Sequence, residues 1–555
     1  MIGGCPKPQT PSRAAIRLLA LWLLVAAVPA FAGAAGPEAA AFLPNDARYN
    51  PWIWPLARFG GQPGQYAVNI HMGFCNIDYF CQVADPAGGE LIKDVRRTAA
   101  DDVTREVLAR VDALNAVSSL VVRYGVGNVS PEALRALLPR TGAAARIEEG
   151  RRHGRWGNPE THAKVFQCDD GAGEYYTVHG SLNLQTVGLT CKGNNALRFV
   201  EAAPNLSAAF RALAQAAGAG DGTSLFPGGR GTADSSGDDL PPVAVGDYLV
   251  GFYGGRAKAF VGGFPAEADM PWPLYLNAPY PGQHAPGVVD WYDAAIFDAA
   301  AELRQGRDVV LNVAMFEIGP TAYFIDNLYR FVAEGFAGRR GEDRTRNDPV
   351  PAVRPGNLTV RLLWQFQGGD PAAPTATAAL LFGPSVLRRV DAATGKAFSL
   401  ESALVWPSLD AAGRPVNPGT PRDMHNKFVL LDVPGHETGR RIYVSSSNLD
   451  TPGQGSGRLW QAGTIVAARP GSGLWSGGNA QSRQLFTAYK HYFELLWASR
   501  EGQPGAGQAA FHEAISREHL AGRVNWIETV PEGAPPSRPP RPGIDAFFFP
   551  VPLNR

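Results

Sequence analysis

At 555 residues with 45% hydrophobic content, the chain is long enough to bury a large core and too long for one ordinary domain. Its 51 basic residues balance 51 acidic ones, which argues against a protein that holds polyanions through an overall basic field. The 64 glycines and 46 prolines predict long loops.

The N-terminus reads as an export signal. Lys7, Arg13 and Arg17 precede an apolar run from Leu18 to Val28, and PAFAG offers a small-residue cleavage site after Ala32. The run is short for a membrane anchor. Residues 1–32 are therefore assigned as a signal peptide, and the protein is expected to be secreted or periplasmic. Removing them leaves 48 basic against 51 acidic residues, a net charge of −3. Cys5 leaves with the signal, and Cys75, Cys81, Cys168 and Cys191 remain. An even count in an oxidising compartment predicts two disulfides with three possible connectivities, of which the local pairs Cys75–Cys81 and Cys168–Cys191 are the expectation. No C-x-x-C or H-E-x-x-H spacing occurs, nor a G-x-S-x-G elbow or a phosphate-binding P-loop, so no metal or cofactor is expected.

In chain order, 35–65 is rich in Pro and aromatics and reads as irregular. YAVNIHMGF alternates like a strand. The stretch 91–117 carries a helical pattern, SSLVVRYGV reads as a buried strand, and SPEALRALL opens a helix with Ser130 as N-cap and Pro131 at its first position. Gly218–Gly246 lacks periodicity and reads as a linker. Beyond it the order resumes. DWYDAAIFDAAAELRQG is helical, RDVVLNVAMFEIG is a buried strand, AYFIDNLYRFVAEGFAG is a helix closed by Gly338, and NLTVRLLWQF is a further strand. Strands alternating with helices predict an α/β fold, and the repeated order predicts an internal duplication. The domains expected are 33–217 and 247–555, separated by the linker 218–246.

The chemistry sits in a pair of matching stretches. THAKVFQCD carries His162, Lys164 and Asp169, and MHNKFVLLD carries His425, Lys427 and Asp432 at the same spacing. Each is followed by a small-residue stretch with asparagine: HGSLN, ending at Asn183, and SSSN, ending at Asn448. On a strand, residues two apart share a face, so each His and Lys point the same way, while the Asp has the opposite parity and suits a supporting role. Turn sequences, Gly171–Gly173 and Pro434–Gly439, lie halfway between His and Asn in each copy. Hairpins folded there bring Asn183 beside His162 with Ser181 near Lys164, and Asn448 beside His425 with Ser446 near Lys427. An imidazole, an ammonium, a hydroxyl and an amide on one face make half of an anion clamp, and two halves would surround one phosphoryl group. Histidine can attack phosphorus or protonate a leaving oxygen.

With this pair the chain resembles the phospholipase D superfamily, whose mark is H-x-K-x-x-x-x-D followed by a G/S-x-N segment. The visible similarity covers about Thr161–Glu201 and Met424–Ala467. The length, the tandem layout and the export signal are also similar to the secreted bacterial phospholipases D. The resemblance implies two α/β/α layer domains packed as a pseudo-dimer with one active site at their seam. It implies a catalytic set of His162, Lys164, Asp169, His425, Lys427 and Asp432. His162 would be the nucleophile that becomes phosphohistidine, and His425 the general acid and base. Lys164, Lys427, Asn183 and Asn448 would hold phosphate oxygens, with Ser181 and Ser446 as further substrate-binding candidates. The chain departs from the family where a carboxylate usually orients each histidine: the matching positions are Asn194 and Gln461. An amide oxygen accepts an imidazole N–H but stabilises imidazolium less than a carboxylate.

The expected substrate is a phosphodiester, with phospholipid at a membrane surface favoured by the near-neutral charge. The aromatic loops carrying Trp52, Trp54, Trp272, Tyr275 and Tyr280 could dock at such a surface, core packing being the competing reading. A secreted nuclease is the alternative, for which the basic clusters at Arg151–Gly157 and Gly338–Arg346 are the only candidates. A degenerate phosphate-binding module is the third reading. No protein partner is evident.

Overall fold

A computed structural model describes residues 37–43, 52, 66–75, 80–84, 91–96, 103–113, 117–127, 129–149, 162–169, 175–185, 193–201, 243–245, 248–254, 292–318, 323–334, 355–367, 385–390, 394–405, 424–449, 460–466, 480–503, 507, 511 and 514–515. Three elements open the chain: β1 (Pro37–Leu43), β2 (Tyr66–Cys75) and β3 (Phe80–Ala84). β4 (Leu91–Arg96), α1 (Val103–Ala113), β5 (Val117–Gly127), α2 (Pro131–Ala136) and β6 (Arg146–Glu149) follow. The first motif lies on β7 (Val165–Asp169), β8 (Tyr175–Gly180) and β9 (Asn194–Glu201). Next come β10 (Val243–Val245), β11 (Tyr248–Gly254), α3 (Asp293–Arg304), β12 (Val309–Ile318), α4 (Tyr323–Glu334) and β13 (Leu358–Gln367). β14 (Ser385–Val390), β15 (Ala397–Leu404), β16 (Lys427–Asp432), β17 (Arg441–Ser445), β18 (Trp460–Val466) and α5 (Ala480–Ala498) complete the order.

The strands build two large mixed sheets and a small two-stranded one, so the fold is α/β. The first sheet runs β1-β9-β8-β7-β2-β5-β6 and the second β10-β11-β18-β17-β16-β12-β13-β15-β14. The segment β9-β8-β7-β2-β5-β6 repeats as β18-β17-β16-β12-β13-β15. In both, the last three strands are parallel and the first four are joined by antiparallel pairings. The duplication read from element order is thus present in the strand order itself.

Local rules explain much of this. The Ser130 Oγ accepts from the Ala133 N–H at 3.2 Å, as an N-cap does, and Pro131 starts α2 where a missing N–H is harmless. On β16, Phe428 and Leu430 face one core while Val429 and Leu431 face another, because successive side chains alternate across a sheet buried on both sides. One apolar cluster lies against β12, β13, α3 and α4, and another behind the first sheet around Ile70, Phe166 and Tyr176. The third joins the two sheets: Ala163, Val165, Leu197 and Phe199 of the first pack with Phe428, Leu430, Ile442 and the α5 residues Tyr489 and Phe493.

The structure differs from the sequence reading in several places. Leu91–Arg96 is a strand paired with β3, and the helix starts only at Val103. The apolar residues Leu91, Ile92 and Val95 recur at a helical spacing, and pairing with β3 overrides it. The stretch read as irregular contains β1, paired antiparallel with β9, and Val243–Val245 at the end of the assigned linker forms a hairpin with β11. Trp52 is wholly buried, its ring centroid 6.0 Å from that of Phe166, so it serves the core and cannot dock a membrane. Trp54, Trp272, Tyr275 and Tyr280, the signal segment, the two basic clusters, Gly338, and the linker before Val243 lie outside the described residues, as do Cys81, as regards its side chain, and Cys191. Among the described residues no helix is long and apolar enough to cross a membrane.

Candidate active site

Both motifs sit on hairpins whose pairing is set by the ladder. Val165 lies opposite His179 and Asp169 opposite Tyr175, while Phe428 lies opposite Val444. The second hairpin turns through a 3-10 segment, Glu437–Gly439, at the expected place. His162 and Lys164 lie just before and beside the start of β7, and His425 and Lys427 hold the same relation to β16. All four are buried. Each lysine folds back on its own strand: Lys164 Nζ donates to the His162 carbonyl at 2.7 Å and Lys427 Nζ to the His425 carbonyl at 3.2 Å.

The first clamp converges on Gly73 of β2. A Cβ built there would lie 2.8 Å from His162 Cδ2 and 3.2 Å from both Lys164 Nζ and Asn183 Oδ1. Glycine is required because any side chain would displace all three groups. The second clamp differs. Asn448 Nδ2 donates to Glu317 Oε2 at 2.7 Å, and its Oδ1 is buried without a hydrogen-bond partner. One of its two N–H groups is thus held by a carboxylate on β12.

The orienting contacts run from one sheet to the other. His162 Nδ1 lies 3.2 Å from Gln461 Oε1 of β18, and His425 Nδ1 lies 2.9 Å from Asn194 Oδ1 of β9. Ser446 Oγ donates to Gln461 Oε1 at 2.7 Å while accepting from the Ala462 N–H at 2.9 Å. Ser181 Oγ likewise donates to Asn194 Oδ1 at 3.0 Å and accepts from the Asn195 N–H at 3.0 Å. Each serine therefore fixes which end of its amide faces the histidine. Because an amide oxygen only accepts, each Nδ1 carries a proton, and Nε2 is the ring nitrogen that can gain or lose one. Ser181 and Ser446 were expected at the substrate. The structure places them beneath the amides instead, since in the hairpin register they fall opposite Ala163 and Asn426, not opposite the lysines.

The backbone ties the sheets at the same place. The His425 N–H donates to the Gly193 carbonyl at 2.6 Å, and the Lys427 N–H to Asn195 Oδ1 at 3.3 Å. Burial, followed by the charges of Lys164 and Lys427, holds the His162 pKa well below its ordinary value, against opposing hydrogen bonds from Gln461 and the Ser446 backbone. The neutral form of His162 is thereby favoured.

The aspartates of the motif are not at this site. Asp432 ends β16, about 17 Å along the strand from Lys427. Its carboxylate accepts from Arg440 Nε at 2.9 Å and from Lys490 Nζ of α5. Asp169 ends β7 in the same relation to Lys164. Both aspartates thus stand at the far ends of their strands from the histidines and lysines. Sequence reasoning missed Gly73, Phe316 and Glu317; the strand pattern of YAVNIHMGF with a glycine near its end was the only available signal. Among the described residues no group of His, Cys, Asp or Glu is placed to hold a metal ion.

No family model matches the chain, and no curated protein matches it. Solved structures that match include polyphosphate kinase from Porphyromonas gingivalis, at TM-score 0.42 and 10% identity. That match covers 87% of this chain and 55% of the kinase, so the chain spans about half the kinase's length. Phosphatidylserine synthase from Haemophilus influenzae matches at TM-score 0.39 and 9% identity, over 89% of this chain and 97% of the synthase. Yeast tyrosyl-DNA phosphodiesterase matches at TM-score 0.32 and 9% identity, over 77% of this chain and 90% of the other.

Proposed function

We propose that the protein is a phosphodiesterase of phospholipase D type that works through a phosphohistidine. The observation that carries this reading is the pair of buried imidazoles, each tied at Nδ1 to an amide of the opposite sheet and each beside a buried lysine. On this reading the two Nε2 atoms and the two ammonium groups serve one phosphoryl group.

In the proposed reaction, the lone pair on His162 Nε2 forms a bond to phosphorus as the bond to the leaving oxygen breaks. His425, protonated at Nε2, gives that proton to the leaving alcohol. Water then loses a proton to His425 and attacks phosphorus, and the P–N bond breaks with its electron pair returning to His162. An alcohol in place of water gives transfer instead of hydrolysis. Lys164, Lys427 and Asn183 hold the non-bridging oxygens.

Phospholipid is the proposed substrate class, supported by the near-zero net charge. Secretion belongs to the same proposal and rests on residues 7–32. Purified mature protein assayed against phosphatidylcholine, phosphatidylethanolamine, single-stranded DNA and RNA, with and without added alcohol, tests both chemistry and substrate. Turnover of a phospholipid, lost in His162→Ala, is the expected result. Turnover that survives His162→Ala removes this residue as nucleophile, and cleavage confined to DNA or RNA replaces the lipid reading with a nuclease.

A further inference from the structure

The two halves of the site share a strand plan but differ at one pair of equivalent positions. β2 and β12 flank the histidine strands in the same register: Ala314 pairs with Phe428, and His71 pairs with Val165. Two residues before the matching bridge pairs Cys75–Leu184 and Ile318–Leu449 stand Gly73 and Phe316. Gly73 has no side chain, and His162, Lys164 and Asn183 close around the space this leaves. The Phe316 ring instead lies 4.9 Å from the His425 ring, and Lys427 Nζ lies 5.1 Å from the same centroid.

We propose that Gly73 and Phe316 divide the labour of the two histidines, an inference that rests on the phosphodiesterase reading. Gly73 lets His162, Lys164 and Asn183 pack together against its bare Cα, which sets the imidazole for attack. Phe316 keeps His425 as the histidine that carries the proton. The physical reason is the aromatic quadrupole. Its negative face favours positive charge on both neighbours, which lessens the penalty for an imidazolium beside Lys427. At His162 the equivalent position is Gly73, and burial with the charges of Lys164 and Lys427 opposes ionisation. Among the described residues, His425 also meets Asn194 of β9 at Nδ1 and Lys427 Nζ at its carbonyl. Phe316 and Gly73 are positioning residues; the reacting atoms belong to the histidines.

The test is an NMR titration of the full mature chain labelled with 13C at histidine Cε1, the two signals being assigned with His162→Gln and His425→Gln. His425 is expected to titrate at higher pH than His162. In Phe316→Leu its midpoint falls by about half a pH unit, and in Phe316→Tyr it stays in place. An order with His162 above His425, or an unmoved midpoint in Phe316→Leu, overturns the proposal. For Gly73→Ala, dispersed histidine signals show that the fold survives, and turnover of bis(4-nitrophenyl) phosphate is expected to drop at least tenfold. Wild-type turnover in that variant overturns the role of Gly73. The titration does not depend on turnover, so an inactive wild-type protein defeats the phosphodiesterase reading while leaving the order of the two histidines measurable.

Discussion

The amide oxygens of Asn194 and Gln461 orient the imidazoles without adding charge to them, and that choice has a measurable signature. In Gln461→Glu a carboxylate replaces the acceptor at His162, and an opposite charge at this distance raises a histidine pKa by about 1–3 units. In the proposed reaction His162 must be neutral to attack. The acidic limb of the rate profile is therefore expected to move to higher pH in Gln461→Glu, read from kcat/KM against pH, and to stay in place in a Gln461→Asn control that remains folded. A second histidine links the site to stability. His179 Nδ1 lies 3.2 Å from the Lys164 carbonyl, and burial pushes its pKa down to about 4. The unfolded chain binds this proton near pH 6.5. Between those values the unfolded state holds the extra proton, so stability falls as pH falls, by about 3 kcal/mol from this group across the window. Urea unfolding of His179→Asn at pH 7 and pH 5 is expected to show a smaller acid loss than wild type. At this scale the His–Lys pairs were legible because parity alone places them together. The serines were not, because their role depends on amides whose histidines lie 231 and 299 residues away in sequence.

The helix α5 acts on the site through two tyrosines one turn apart. Asn195 Nδ2 donates to Tyr489 Oη at 3.1 Å, and Asn426 Nδ2 donates to Tyr492 Oη at 2.9 Å. Asn195 adjoins the acceptor of His425, and Asn426 stands between His425 and Lys427. Both tyrosines are fully buried, and burial raises both phenol pKa values far above the ordinary range. Tyr492→Phe leaves a buried amide donor without its acceptor, which costs about 1–3 kcal/mol and is measured by denaturant unfolding. The strand β8 ends at Gly180, where a Cβ would lie 2.1 Å from the Asn195 carbonyl. Gly180→Ala is expected to force β8 and β9 apart and to reduce turnover as well as stability, because Asn194 moves with its neighbour. Strong periodicity made β2, β5, β12 and β13 readable. β1 and β4 escaped because short strands take their identity from a partner: β1 exists as the edge beside β9, and β4 as the mate of β3.

The shared cluster beneath both sheets ties the described molecule into one folding unit. Phe428 sits in it, its ring centroid 5.2 Å from that of Tyr489, with Val165 and Phe199 of the first sheet in the same core. Phe428→Ala is expected to cost about 3–5 kcal/mol and to lower a single cooperative transition seen alike by calorimetry and circular dichroism. Two separate transitions would show that each sheet keeps its own stability. The α/β class and the duplication were visible in the sequence as alternating periods, whereas this common core was not, since residues such as Ala163 and Leu197 bear no mark of what covers them.

The crossed amide contacts also set how the two halves can vary. Gln461 lies on the second sheet yet governs the tautomer of His162, and Asn194 lies on the first yet governs His425. A substitution in either copy of the repeat therefore reaches the other copy's histidine. In the proposed reaction neither half is retuned by itself, because each histidine takes its acceptor from the other half.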